Sequence, residues 1–159
     1  MGEIPKGYRP NVGLMLIGRD RRIFAGRRPQ RLEGQPEAWQ MPQGGIDKDE
    51  TPVEAACREL KEEVGTGKAL LLRESPHWIA YDVPSDVAPG NWKGRWRGQA
   101  QKWFALAFVG SDADIDIAAH EAEFDAWKWL TSAELLENIV PFKRAVYATV
   151  LKEFADLIS

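Results

Sequence analysis

Residues 44–65 read GGIDKDETPVEAACRELKEEVG, and this stretch decides how the chain folds and what it can hold. Thr51 is suited to cap a helix, Pro52 to fill its first position, and Glu54 to complete a capping box. Val53, Ala56, Cys57, Leu60 and Val64 then recur at helical spacing and predict one apolar face. Gly65 and Gly67 are expected to end the helix. At about 100° per residue, Glu59, Glu62 and Glu63 fall within an arc of about 100°, away from that face. Like charges so spaced repel by about 0.2–0.5 kcal/mol per pair. The crowding therefore belongs either to a solvated face or to a site that takes up positive charge. Arg58 stands four residues before Glu62 and can pair with it. An all-oxygen donor set favours a hard cation such as Mg²⁺ or Mn²⁺ over zinc. The two histidines, His77 and His120, lie too far apart in sequence to suggest a zinc cluster.

The rest of the composition is that of an ordinary globular domain. A chain of 159 residues, 44% apolar and 28% charged, can bury one core and is expected to form a single domain over 1–159. A net charge of −3 argues against a generally basic nucleic-acid coat, and no DNA partner is expected. A lone cysteine, Cys57, predicts a reducing cytoplasm. No apolar run approaches the roughly 20 residues of a membrane span. The opening MGEIPKGYRPN lacks a signal-peptide core and the Ser/Thr of a myristoylation site.

Outward from the acidic helix, NVGLMLIGRDRRIFAGRR predicts two strands around a polar turn at residues 19–22. AWQMPQGG reads as a short strand running into a glycine loop. ALLLRESPHWIAYDVP suggests strands interrupted near Pro76. Residues 84–100, rich in Gly, Trp and Arg, predict a long loop. QKWFALAFVG and FDAWKWL read as further strands, and TSAELLENI as a short helix capped by Thr131 or Ser132. PFKRAVYATVLKEFADLI reads as one amphipathic C-terminal helix with Val146, Val150, Phe154 and Leu157 buried. This order predicts an α/β chain with a mixed sheet between helices.

The spacing of Gly44, Glu50, Arg58, Glu59, Leu60, Glu62, Glu63 and Gly65 resembles the Nudix box, G-x5-E-x7-R-E-U-x-E-E-x-G-U, where U is bulky and aliphatic. Thr66 departs at the last position, which concerns packing. The segments GYRPNVG, WQMPQGGID, GQAQKWF, EFDAWKW and PFKRAVYATVLKEFA are similar to the branch of bacterial RNA pyrophosphohydrolases and dinucleoside polyphosphate hydrolases. Ala100 stands where that branch usually has Lys, and residues 84–98 match least.

The resemblance implies an α/β/α sandwich and a metal-dependent hydrolase of phosphoric anhydrides. It implies Glu59, Glu62 and Glu63 as metal ligands, with Glu123 as a fourth. Glu59 is the first candidate for the general base and Glu63 the second. Arg58 and Glu50 are implied as the pair that orients the acids. On the substrate side it implies Phe142 stacked on a nucleobase with Arg27 on the other face, and Lys143 and Arg9 near phosphate. Tyr81 and Val140 are expected to line the base pocket. Lys93, Arg95, Arg97 and Lys102 are expected to add charge around a polyphosphate or RNA backbone. Taken singly, Glu123, Arg27 and each of these basic residues is an ordinary surface charge, and Phe142 an ordinary core residue. Trp39 beside the glycine loop reads as packing more than stacking, and Trp103, Trp127 and Trp129 as structural.

Three functions stay open. The first is pyrophosphohydrolysis of 5′-triphosphorylated RNA, of dinucleoside polyphosphates such as diadenosine tetraphosphate, or of both. The second is a catalytically silent nucleotide- or RNA-binding module. The third is a house-cleaning hydrolase of modified nucleotides.

Overall fold

The computed structural model describes residues 3–29, 38–92 and 94–159. Lys93, one of the expected basic residues, lies outside them. Among the described residues the sheet has eight strands: β1 (Tyr8–Ile17), β2 (Ile23–Arg27), β3 (Trp39–Gln40), β4 (Gln43–Gly45), β5 (Ala69–Glu74), β6 (Ile79–Asp82), β7 (Gly98–Phe108) and β8 (Ala126–Leu130). The helices are α1 (Pro52–Glu63), α2 (Ser132–Asn138), α3 (Arg144–Glu153) and α4 (Ala155–Ile158).

The main path of the sheet runs β3-β2-β1-β7-β5, with β8 on β2, β4 on β1 and β6 on β7. β1 and β7 pair in parallel from Tyr8↔Gly98 to Ile17↔Ala107, and the other pairs are antiparallel. A central parallel pair must be covered on both faces, which is why NVGLMLI is apolar throughout rather than alternating. Its residues still divide by parity. Val12, Leu14 and Leu16 pack with Ala55, Ala56, Leu60 and Val64 of the α1 side. Met15 and Ile17 pack with Leu135, Val146, Tyr147 and Val150 beneath α2 and α3. Gly13 leaves room for the Trp103 indole: a Cβ there would lie 2.4 Å from the ring. The expected α/β/α layering is thus formed, with one core on each side of the sheet.

α1 carries the expected capping box, with Thr51 Oγ1 accepting from Glu54 N–H and Glu54 accepting from Thr51 N–H. Gly65 follows at φ +83° in the left-handed region. The buried face of α1 differs from expectation. It is formed by Ala55, Ala56, Glu59, Leu60 and Glu63, while Val53 and Cys57 face outward. The helix is rotated so that two of its acids point inward, toward β4.

The C-terminal segment is also not one helix. A short turn at Pro141–Lys143 precedes α3, and the chain breaks again at Phe154. Val146, Val150 and Phe154 are buried as expected. The break has a visible cause. Arg73 of β5 donates to the Glu153 carbonyl at 3.2 Å and pairs with both oxygens of Asp156 at 2.8 and 2.7 Å, which replaces the continuing helical bond.

Because α1 presents the acids, its cap matters to more than stability. Thr51→Ala removes one side of the box and should lower unfolding free energy by about 1 kcal/mol, read as a shifted urea midpoint with unchanged slope.

Candidate active site: an acid cleft beside a glycine strand

Arg58 organises the site. Its Nε and Nη2 grip both oxygens of Glu50 at 2.8 and 2.9 Å. Nη1 donates to Glu59 at 2.8 Å and to Glu62 at 3.2 Å, and Nη2 also reaches the Gly45 carbonyl at 2.8 Å. One guanidinium thus fastens the end of β4, the residue before the cap, and two acids of α1. The expected Arg58–Glu62 pair is present, and the Glu50 pair is stronger in geometry because it is two-pronged. Arg58 holds the Glu50 carboxyl down at about 2, helped by the Asp47 N–H.

The expected glycine loop is strand β4, paired with β1, and Gly44 and Gly45 let it close on these acids. A Cβ on Gly44 would sit 2.0 Å from the Glu59 carboxyl carbon, and one on Gly45 would lie 3.1 Å from the Arg9 guanidinium. Glu59 and Glu63 are buried, and Gln43 N–H donates to Glu63 at 2.9 Å. Burial pushes the Glu63 carboxyl well above the usual carboxylate range, and the neighbouring Glu59 and Glu123 charges push it further. Burial raises Glu59 too, with Arg58 opposing.

Glu59, Glu62, Glu63 and Glu123 line one cavity of about 420 Å³, together with Arg28, Gln40, Gln43, Gly44, Gly45, His120 and Glu121. All four expected metal ligands are therefore brought together. Among the described residues, no three His, Cys, Asp or Glu side chains converge closely enough to enclose an ion between them. Glu59 and Glu62 each turn one oxygen onto Arg58 instead. The donor chemistry nevertheless suits a hard divalent cation, since all four acids offer oxygen and Glu63 is buried among like charges.

A glutamine relay joins this cleft to the expected substrate residues. Lys143, buried, donates to Gln43 Oε1 at 3.0 Å and lies 3.4 Å from Gln40 Oε1. Burial, with Arg28 nearby, lowers the Lys143 ammonium to about 7, against the pull of Glu63. Gln43 also donates to Gln99 at 3.2 Å, and the Tyr81 hydroxyl donates to the same Gln99 oxygen. Tyr81 stacks on Phe142, centroids 6.2 Å apart, and Val140 packs beside them.

Arg27 and Phe142, expected on the two faces of a base, each have a partner within the protein. Arg27 is bonded to Asp125 at 2.7 Å and lies 5.8 Å from the Trp39 ring centroid, while Phe142 belongs to the Tyr81 stack. Trp39 is buried, in keeping with packing, and Lys128 sits 4.0 Å over its ring.

The expected basic cluster is partly overturned. Lys102 is buried, bonded to the Ser75 carbonyl at 2.7 Å and paired with Glu74 at 3.3 Å, because strand parity turns it away from Gln99 and Gln101. Arg97 pairs with Asp82 at 3.0 Å, and Arg95 lies 5.0 Å over the Trp96 ring.

Arg28, Gln40, Gln43, Gln99 and Gln101 were not singled out from the sequence. A signal existed for two of them: in GQAQKWF the glutamines alternate, so Gln99 and Gln101 share a strand face. The lowered Glu50 carboxyl makes the stability of the fold depend on pH. Its pairing stabilises the fold above pH 4.5 and is lost as pH falls toward about 2. The urea midpoint of the wild type should therefore fall more steeply across that window than that of Glu50→Gln.

Comparison with known proteins adds the family. The NUDIX domain family matches residues 7–150. An RNA pyrophosphohydrolase of Rickettsia africae is 48% identical over 151 residues, covering 95% of this chain and 92% of its own. One from Roseobacter denitrificans is 51% identical over 149 residues, covering 92% and 91%. Among solved structures, a C. elegans Ap4A hydrolase binary complex matches with TM-score 0.68 at 18% identity, covering 94% of this chain and 96% of that one. The E. coli dihydroneopterin triphosphate pyrophosphohydrolase matches with TM-score 0.63 at 21% identity, covering 91% and 97%. These two likenesses concern the fold alone. With its box acids gathered in one cleft and the family match spanning most of its length, the chain belongs to the NUDIX family.

Proposed function

We propose that this protein is a divalent-metal-dependent pyrophosphohydrolase that removes phosphate or pyrophosphate from 5′-triphosphorylated RNA and leaves a 5′-monophosphate. Dinucleoside polyphosphates such as diadenosine tetraphosphate are the second substrate class. The observation that carries the reading is the likeness to bacterial RNA pyrophosphohydrolases over nearly the whole chain, including the segments that supply the cleft. The single cysteine supports a reducing cytoplasm as the place of action.

Glu59, Glu62, Glu63 and Glu123 would hold Mg²⁺ or Mn²⁺. A divalent ion held by them would supply charge neutralisation for the phosphates and make water a stronger nucleophile. Glu59 accepts the proton of the attacking water, a role suited to a carboxyl raised by burial, and Glu63 is the alternative. Arg58 keeps Glu59 and Glu62 turned into the cleft. Lys143 and Arg9 meet phosphate oxygens. Phe142 and Tyr81 offer an aromatic surface to a base, with Val140 beside them, and Arg27 bears on that base once released from Asp125.

Purified protein with Mg²⁺ should convert triphosphorylated RNA to the monophosphorylated form. Glu59→Gln should slow this by about 10²–10⁴-fold. Phe142→Ala should raise KM more than it lowers kcat. Rapid diadenosine tetraphosphate cleavage with no release from triphosphorylated RNA would sink the RNA assignment. A silent binding module would show no difference between wild type and Glu59→Gln on any substrate.

A further inference from the structure

The outer side of α1 carries a second concavity of about 530 Å³, lined by Val53, Cys57, Arg58, Lys61, Glu62 and His120 among others. It adjoins the acid cleft, because Glu62 and His120 line both. Its floor is apolar for a reason visible in the helix. Val53, Cys57 and Lys61 form one i, i+4, i+8 row, and the inward turn of Glu59 and Glu63 rotates that row to the outside. Val53 is 38% exposed and Cys57 is exposed, although their spacing suits a core.

The compartments therefore lie in a fixed order. Phe142 and Tyr81 stand at one end, followed by Lys143 and Gln43, then the acids. Glu62 and His120 come next, and Val53 and Cys57 close the series. A polyphosphate laid over the acids, with its base toward Phe142, carries its far end across Glu62 and His120. On a 5′-triphosphate that end is only phosphate oxygen. On a dinucleoside polyphosphate it is a second nucleoside, with a flat π face and a polar ribose. An apolar floor with an imidazole and the Lys61 ammonium at its rim suits such a group.

We propose that the concavity on the outer side of α1 binds the second nucleoside of dinucleoside polyphosphates, a subsite that triphosphorylated RNA does not use. This rests on the pyrophosphohydrolase reading given above.

Cys57 is the only cysteine in the chain, so it reports on this subsite directly. Its alkylation by iodoacetamide is to be timed in Glu59→Gln protein with Mg²⁺, with either diadenosine tetraphosphate or ATP at saturation. Nucleoside contacts of the usual strength should let diadenosine tetraphosphate slow alkylation by at least about fivefold, and ATP by less than about twofold. In otherwise wild-type protein, Cys57→Trp should raise KM for diadenosine tetraphosphate by a similar factor while leaving turnover of triphosphorylated RNA within about twofold. Equal protection by both nucleotides, or Cys57 left fully reactive in a protein whose wild type cleaves diadenosine tetraphosphate, overturns the subsite. An unchanged KM in Cys57→Trp, or equal loss on both substrates, also counts against it. Failure of the wild type on both substrates overturns the pyrophosphohydrolase reading itself.

Discussion

The Arg58 guanidinium is the interaction on which the rest of the site depends. It ties Glu50, Glu59, Glu62 and the Gly45 carbonyl to one point. Without it, a loop, a cap and a helix would bring mutually repelling acids together with nothing between them. Removing one partner of such a partly buried network costs more than the network contributes, because the remaining charges stay desolvated. Arg58 is satisfied on all sides by protein acceptors, so it orients the acids and has little freedom to act on a substrate.

The fold sets this arrangement through two close approaches. Gly44 lets β4 meet Glu59 with no intervening side chain, and Gly13 lets Trp103 press against β1. The hydroxyl oxygen of Tyr147, a buried residue of α3, accepts a hydrogen bond from Met41 N–H at 2.8 Å. That contact anchors the segment between β3 and β4, and so the strand that carries Gln43. The acid cleft is thus supported from both faces of the sheet.

Much of this was legible in the sequence. The cap, the strands and the Arg58–Glu62 pair follow from local chemistry, whereas the gathering of Glu123 with the helix acids was implied only by the likeness of EFDAWKW to the family branch. What periodicity could not reveal was the rotation of α1. Val53 and Cys57 look like core residues, and Glu59 and Glu63 like surface ones, yet the structure exchanges them. A hydrophobic pattern weighs each side chain by its own transfer energy. It does not register that Arg58 and Gln43 can satisfy an inward carboxylate. Lys102 misled in the same way, since a lysine in a strand reads as surface until Ser75 and Glu74 are seen to receive it. The glutamine relay was hidden because its members come from β3, β4 and β7, with β7 far along the chain from the other two.

Pyrophosphohydrolysis in this cleft requires its buried acids to hold a divalent cation. The direct measurement is Mn²⁺ binding, followed by loss of the free-ion paramagnetic resonance signal, in wild type and in Glu63→Gln. Losing a buried anionic ligand should weaken binding by about 10-fold or more while the protein stays folded. Equal Mn²⁺ affinity in the two proteins would contradict the claim.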